Sequence, residues 1–507
     1  MKKLLLYTTL FAISLGFEGC SGWLDVNSDP NNPTDVSEDI IMPASQAEIA
    51  AYLGGDIYNY SAFFAQYVDQ APESNQYNAI ADYDIDQDIF WSSYRGLYAQ
   101  ALEDLETVRT KAKNSNKWGD YMVATTLRAY AYQIIVDNID EAPYSEALQG
   151  TSVTKPKYDG GETIYKGVIA EIDSAEAKVN AASDKSISQD LMLSKDVNQW
   201  IGFANALKLR MLMRGSEKND NSAAIKKLVN EGNFFTGDVT FASFSNQTGK
   251  YNPWYGTMDG LSANNYVGSY PLVSFMKSTN DPRISNIYTK STKLNDYAGE
   301  VPNIYKGGYE NAHSHMNEYY SRLNISSSST IMGPTAPVYF FTQSDLQFLL
   351  AEAYVRFFSD NAKAKAAYQA AIVADLSTRG LDTGLATNIY GSTSSQAWPD
   401  NGADTQKLKL IYMQKWVAMA MVDPAEGWAE MRRTDVPSTS SVAAQSLYDN
   451  PTSDAYTAGD IVIPYADVLG STLIKRVWYP ASALALNSNA PKNDTNLRTT
   501  NVWWDVK

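Results

Sequence analysis

The chain has 507 residues, 44% of them hydrophobic, enough for several ordinary domains or one large helical array. Its 57 acidic residues against 41 Lys plus Arg give a formal charge of −16, which repels phosphate backbones and disfavours direct contact with anionic lipid, so nucleic acid is set aside as a partner. Aromatic residues reach 12%, with 34 Tyr, more than a core consumes; some rings are expected at the surface with the hydroxyl in water.

Taken in chain order, the N-terminus has a charged Met1-Lys2-Lys3, an apolar run from Leu4 to Phe17, and then Glu18-Gly19-Cys20. This reads as a secretory signal over residues 1–19, too short and wrongly flanked for a spanning helix. Cys20, the one cysteine of the chain, stands where a bacterial lipoprotein carries its acylated residue. With Cys20 lipidated no thiols remain for disulfides, and stability must come from packing. Residues 20–40, with Asn27-Ser28-Asp29-Pro30-Asn31-Asn32-Pro33, read as anchor and tether.

Residues 41–232 carry helical periodicity. A helix is expected from about Ala44 to Gln70; Leu127, Tyr130, Ala131, Ile134 and Ile135 line one face of another; Ile164, Val168, Ile172 and Ala175 line one face of a third. Trp200, Phe203, Ala204 and Leu207 fit the first helix of a tetratricopeptide repeat, as do Leu350, Ala351 and Tyr354, while Ala364, Tyr368 and Ala371 fit the second. No strict period of roughly 34 residues is visible, so the repeats are degenerate. The fold class read here is mostly α: a tetratricopeptide-like scaffold of about four helix pairs with inserted loops and short strands. Residues 233–340 shift to Asn, Ser, Gly and Tyr and read as an irregular insertion. Residues 341–380 form a final helix pair, and 381–507 a loop-rich C-terminal region with one helix near Thr405 to Met421. Loops held by a rigid scaffold are where binding is expected.

No P-loop, G-x-G-x-x-G, G-x-S-x-G, H-E-x-x-H or C-x-x-C occurs, and no cofactor or metal is expected. His313 and His315 could share a metal on a strand, but only Glu310 and Glu318 stand near, and a solvated loop is the better reading. Asp82, Asp84, Asp86 and Asp88 alternate as in a calcium loop, yet the central Gly and closing Glu are missing; an acidic entry to a helix beginning near Gln87 fits better. Arg432-Arg433 could grip an anion, although guanidinium groups at a helix end more often tie carboxylates within the fold.

The segments WIGFANALKLRMLMR (200–214), Asp281-Pro282-Arg283, SDLQFLLAEA (344–353), Gln414-Lys415-Trp416, EGWAEMRRT (426–434) and VWYPASALALN (477–487) together resemble the SusD/RagB family, from the lipid signal to the C-terminus. The resemblance implies a non-enzymatic lipoprotein exposed on the outer membrane, four tetratricopeptide-like helix pairs, and a role as a lid on a SusC-like TonB-dependent transporter. It also implies an oligosaccharide or oligopeptide ligand, with the choice left open. The ligand-contacting candidates are Asn75, Gln76 and Tyr77, between the first two helices, and Trp254 and Tyr255 in Tyr-Asn-Pro-Trp-Tyr, with Tyr309 as an addition. A surface glycoside hydrolase and a purely protein-binding helical adaptor are the alternative functions.

Overall fold

The computed structural model describes residues 36–258, 262–304 and 317–507. Cys20, Tyr309, Glu310, His313 and His315 lie outside the described residues. The principal helices are α1 Glu38–Tyr52, α2 Tyr58–Phe64, α3 Glu103–Ser115, α4 Trp118–Ile139, α5 Gly161–Ala181, α6 Val197–Arg214 and α7 Ser222–Glu231. They continue with α8 Tyr270–Ser278, α9 Gln343–Ala353, α10 Asn361–Thr378, α11 Asp404–Met419 and α12 Pro424–Thr434. Four pairs organise them: α1 against the helical run 91–115, α4 against α5, α6 against α7, and α9 against α10, while α2 packs on α12. The scaffold is therefore the expected helical-repeat array. Three short antiparallel ladders fasten its loops: β1 Val68–Gln70 with β5 Tyr266–Gly268, β2 Ala142–Pro143 with β3 Tyr158–Asp159, and β4 Val239–Phe241 with β6 Val338–Phe341.

Local chemistry accounts for where the helices start. Asp196 caps α6 by accepting from Asn198 N at 2.9 Å, Thr342 Oγ1 caps α9 through Asp345 N at 3.0 Å, and Asp360 caps α10 through Lys363 N at 3.0 Å. Trp200, Phe203, Ala204 and Leu207 are fully buried, as are Ala364, Tyr368 and Ala371, so the repeat positions do sit at helix contacts. Gly202 marks the closest approach: a Cβ there would lie 2.4 Å from the Phe235 backbone nitrogen, closer than any side chain permits.

Three expectations are corrected. The first helical run begins at Glu38 and ends at Phe64, because a π-turn over Leu53–Ile57 at Gly54-Gly55 interrupts it and Gln66, at φ 53°, turns the chain so that Val68–Gln70 becomes a strand. The second concerns α4, whose every residue after Trp118 is buried. It is the central rod, enclosed by α3, α5, α6 and the C-terminal segment, where Val477 N reaches Asn138 O at 3.0 Å and Trp504 Nε1 reaches Asp137 at 2.9 Å. Finally, the C-terminal region holds a second long helix, α12, started by Pro424 and capped by Asp423, which accepts from Glu426 N at 3.2 Å.

Charged side chains join these helices in their interior. Arg214 of α6 binds Asp137 of α4 and Glu426 of α12, while Arg210 reaches Asp345 of α9 at 2.6 Å. Lys415 of α11 contacts Asp345 at 2.6 Å, Glu426 at 3.0 Å and Glu430 at 3.2 Å. Arg433 forks onto Glu352 at 2.6 Å and Glu430 at 2.7 Å, so the Arg432-Arg433 pair ties the fold and offers no anion site. A neighbouring node joins Arg283 to Asp281 at 2.5 Å, to Asp375 of α10 at 2.9 Å and to Gln414 of α11 at 2.6 Å. Removing one member of such a set strands a buried charge and costs about 3–5 kcal/mol.

The network sets a pH dependence. Burial alone would raise Glu426, but Arg210, Arg214 and Lys415 overcome it and hold the carboxyl at about 2. Its folded value lies below its unfolded one, so its stabilisation is present above the ordinary glutamate range and fades as pH falls toward 2. Asp423 is opposite: burial, opposed by Arg210, pushes it to about 7, so the folded state holds a proton that the unfolded chain releases near 4, and stability declines as pH rises from there through 7. The melting temperature should peak near pH 5 and be lower at pH 3 and pH 8, with Asp423→Asn flattening the decline on the alkaline side. A calorimetric melting temperature that climbs steadily from pH 5 to pH 8 in both proteins would contradict this assignment.

Candidate functional site

A wide open cleft is built where β5 runs into α8. Ser269 ends the strand and stands at the helix N-cap, and Pro271 opens α8. The first turns of α8 thereby present Tyr270, Val273, Ser274 and Lys277 on one wall. The opposite wall is the irregular segment from Leu294 to Val301, and Tyr319 with Tyr320 closes one end. Leu447 and Tyr448, from a short helix Ala444–Asp449, close the other. The space enclosed is about 790 Å³.

Five tyrosines, Tyr270, Tyr297, Tyr319, Tyr320 and Tyr448, line this cleft. Tyr320 is a floor residue packed on Ala71 and Val267, whereas Tyr297 and Tyr319 are half-buried on the rim and Leu294 stands 53% exposed. The Tyr270 hydroxyl donates to Pro451 O at 2.5 Å, and its ring lies 5.2 Å from that of Tyr456, which fixes its orientation. Lys277 ties the two walls, donating to Asp296 at 2.8 Å and to Tyr297 O at 2.7 Å. The Lys277 hydrogen bond holds Asp296 below the usual carboxylate range. Asp296 is the one carboxylate among the described lining residues, and it is already paired. Tyrosine faces with little net charge around them suit stacking on a weakly polar, hydroxyl-rich ligand. A second depression of about 520 Å³ lies on the other side of α8, between Phe275 and Met413, and has one aromatic in its lining.

None of the described sequence-derived candidates lines this cleft. Asn75 and Gln76 are exposed, and Gln76 Oε1 accepts from Asn265 Nδ2 at 2.7 Å. Tyr77 is half-buried, its ring 5.0 Å from Tyr266 and 5.7 Å from Phe63. Their loop is stapled to the cleft's end by Asn317, which donates to Glu73 from its backbone at 3.1 Å and from its side chain at 3.2 Å. Trp254 differs from expectation: it is 2% exposed, wedged against Tyr58 at 5.3 Å and Tyr266 at 6.0 Å, with no ring face left for a ligand. The local cause is Asn252, whose Oδ1 accepts from both Trp254 N and Tyr255 N and rolls the short helix Pro253–Met258 inward. Tyr255 stays half-buried, edge-on to Tyr251 at 5.2 Å. Gln76, Tyr77 and Trp254 thus converge through Asn265 and Tyr266, while Tyr255 points elsewhere. The cleft tyrosines were not singled out in the sequence; their signal was the excess of Tyr within an Asn- and Ser-rich insertion, as in Asn295-Asp296-Tyr297 and Asn317-Glu318-Tyr319-Tyr320. Tyr309 belongs to the same insertion.

The acidic alternation after Ala81 closes on itself. Asp86 Oδ1 accepts from Asp88 N at 2.7 Å, and Asp88 accepts from Ser482 N at 3.2 Å, a tie between the helix entry at Trp91 and the C-terminal segment.

The family model SusD-like_2, described as "Starch-binding associating with outer membrane", matches residues 30–454. The chain belongs to this family. Among solved structures it is similar to a SusD/RagB family protein from Bacteroides thetaiotaomicron, at 21% identity and TM-score 0.71 over 93% of this chain and 99% of that one. A SusD homolog from Bacteroides uniformis matches at 19% identity and TM-score 0.70, over 92% and 100%. A chitin-binding SusD homolog from Flavobacterium johnsoniae matches at 20% identity and TM-score 0.71, over 92% and 98%. No curated protein matches the chain.

Because Trp254 packs and Tyr255 is half free, their substitutions should separate. Trp254→Ala should lose about 3–5 kcal/mol of stability, and Tyr255→Ala about 1 kcal/mol or less, in denaturant melts. Equal losses for the two would mean that Trp254 does not support the fold as described.

Proposed function

We propose that this protein captures oligosaccharides in the tyrosine cleft beside α8 and delivers them to a SusC-like TonB-dependent transporter in the outer membrane, held at the cell exterior by lipid on Cys20. The observation that carries the reading is the set of five tyrosines around a cleft of about 790 Å³ whose one described carboxylate is neutralised by Lys277. A glycosidase requires two carboxyl groups facing one bond, one to protonate and one to attack or activate water; Asp296 alone, paired, does not supply that arrangement. Family membership supports a glycan ligand, and the chitin-binding relative from Flavobacterium johnsoniae makes chitin oligosaccharides a reasonable first probe beside malto-oligosaccharides.

Each ring that covers about 60 Å² of a sugar face contributes roughly 1.5 kcal/mol, so several together give reversible binding of the kind that a hand-off needs. The test is calorimetric titration of the full chain with chitin and malto-oligosaccharides, alongside Tyr297→Ala and Tyr319→Ala. Each variant should weaken binding about tenfold at unchanged melting temperature. Parent-like affinity in both would remove the cleft from the site, and sugar cleavage during titration would restore the hydrolase alternative.

A further inference from the structure

Directly beneath the cleft lies a group of polar side chains that the fold does not satisfy. In the β1–β5 ladder Asp69 stands opposite Val267, and Ser269 is bridged in parallel to Glu300 through Tyr270 N to Glu300 O at 2.7 Å and Glu300 N to Gly268 O at 2.8 Å. Side chains alternate along a strand, so Val267 and Ser269 share a face, and Asp69, Ser269 and Glu300 project from it, one from each of three neighbouring strands. Asn303 completes the group, its backbone N–H donating to Asp69 Oδ2 at 2.8 Å. Relative exposures are 2% for Asp69, 0% for Ser269, 0% for Glu300 and 1% for Asn303.

Both carboxylate oxygens of Glu300, both side-chain polar atoms of Asn303 and the Ser269 hydroxyl lack a hydrogen-bond partner in the protein. Asp69 receives only backbone N–H groups, from Gln70 at 2.8 Å and from Asn303. No cationic side chain among the described residues offsets either acid, and burial pushes Asp69 up to about 7 and Glu300 well above the usual glutamate range. Elsewhere in this interior the acids Asp137, Asp345, Asp375, Glu426 and Glu430 each meet a guanidinium or an ammonium. Burying two carboxylates, an amide and a hydroxyl together without partners is a cost that folds do not leave uncompensated. A proton shared by the acids would satisfy neither the amide nor the hydroxyl. One divalent cation among them would neutralise the two acids and take oxygens of Glu300, Asn303 and Ser269 as ligands.

We propose that Asp69, Ser269, Glu300 and Asn303 form a buried, oxygen-only site for a divalent cation of the calcium type. The donor set is hard, with no His or Cys, which matches calcium's preference for carboxylate, amide, hydroxyl and carbonyl oxygens in flexible geometry and argues against zinc-class metals. No three His, Cys, Asp or Glu side chains converge among the described residues, so half of the named donors here are neutral. The cation would pin the segment from Ala298 to Ile304, whose Gly299 and Val301 line the cleft while Glu300 between them points inward.

The full chain would be stripped with a chelator, dialysed into metal-free buffer, and titrated with calcium and with magnesium by calorimetry, with melting temperature recorded in parallel. The expected result is one calcium bound per chain, a higher melting temperature with calcium, and a weaker response to magnesium. Glu300→Gln removes one charge without changing shape; it should melt above the stripped parent and show no response to calcium. The parent titration stands even if the variant fails to fold. A stripped parent that neither binds calcium nor changes its melting temperature would overturn the site, and so would a preference for magnesium or an undiminished calcium response in Glu300→Gln.

Discussion

The structure depends on the ion cluster around Glu426, where α4, α6, α9, α11 and α12 meet. Stacked helix pairs associate mainly through apolar faces, which tolerate sliding and rotation because dispersion contacts have little direction. Arg214 bridging Asp137 and Glu426, with Lys415 reaching Asp345, Glu426 and Glu430, admits one arrangement of five helices. Such a cluster adds little net stability over an apolar core, but breaking it strands charges in a medium that cannot solvate them. Register is thereby fixed at the centre of the molecule.

From that centre the placement of the tyrosine cleft follows. The Arg283 node joins the segment after α8 to α10 and α11, so the wall carrying Tyr270 and Lys277 is fastened to the rigid array. The β1–β5 pair sets the start of α8, and Glu300, paired along Ser269, brings Tyr297 and Val301 to face that helix. Loop residues can then present rings at fixed positions without forming a core of their own.

How much of this was legible in the sequence varies with the range of the interaction. Helix periodicity and the Trp200, Phe203, Ala204, Leu207 and Ala364, Tyr368, Ala371 patterns are local, and they identified the array. Five of the six motifs that carry the family resemblance hold Arg210, Arg214, Arg283, Asp345, Glu352, Lys415, Glu426, Glu430 and Arg433, most of the buried network. That could not be seen in one chain, because a charged residue on a helix face is ordinarily solvated, and partners such as Arg214 and Glu426 are 212 positions apart. The same limit governed the site. Trp254 looked like a loop aromatic because nothing local reports Tyr58 and Tyr266 closing over it, while Tyr297, Tyr319 and Tyr448 meet only after long-range folding. Reading Val68–Gln70 as helix failed for the same reason, since its pairing partner lies at Tyr266–Gly268.

The claim that one buried ionic cluster sets the register of the whole array is tested most directly by native-state hydrogen exchange followed by mass spectrometry. The account predicts that Trp118–Ile139, Val197–Arg214, Gln343–Ala353, Asp404–Met419 and Pro424–Thr434 are the slowest segments and open together as one unit, and that Arg214→Met accelerates all five alike. Exchange of Pro424–Thr434 by an independent, earlier opening, with the others unaffected by the substitution, would contradict it.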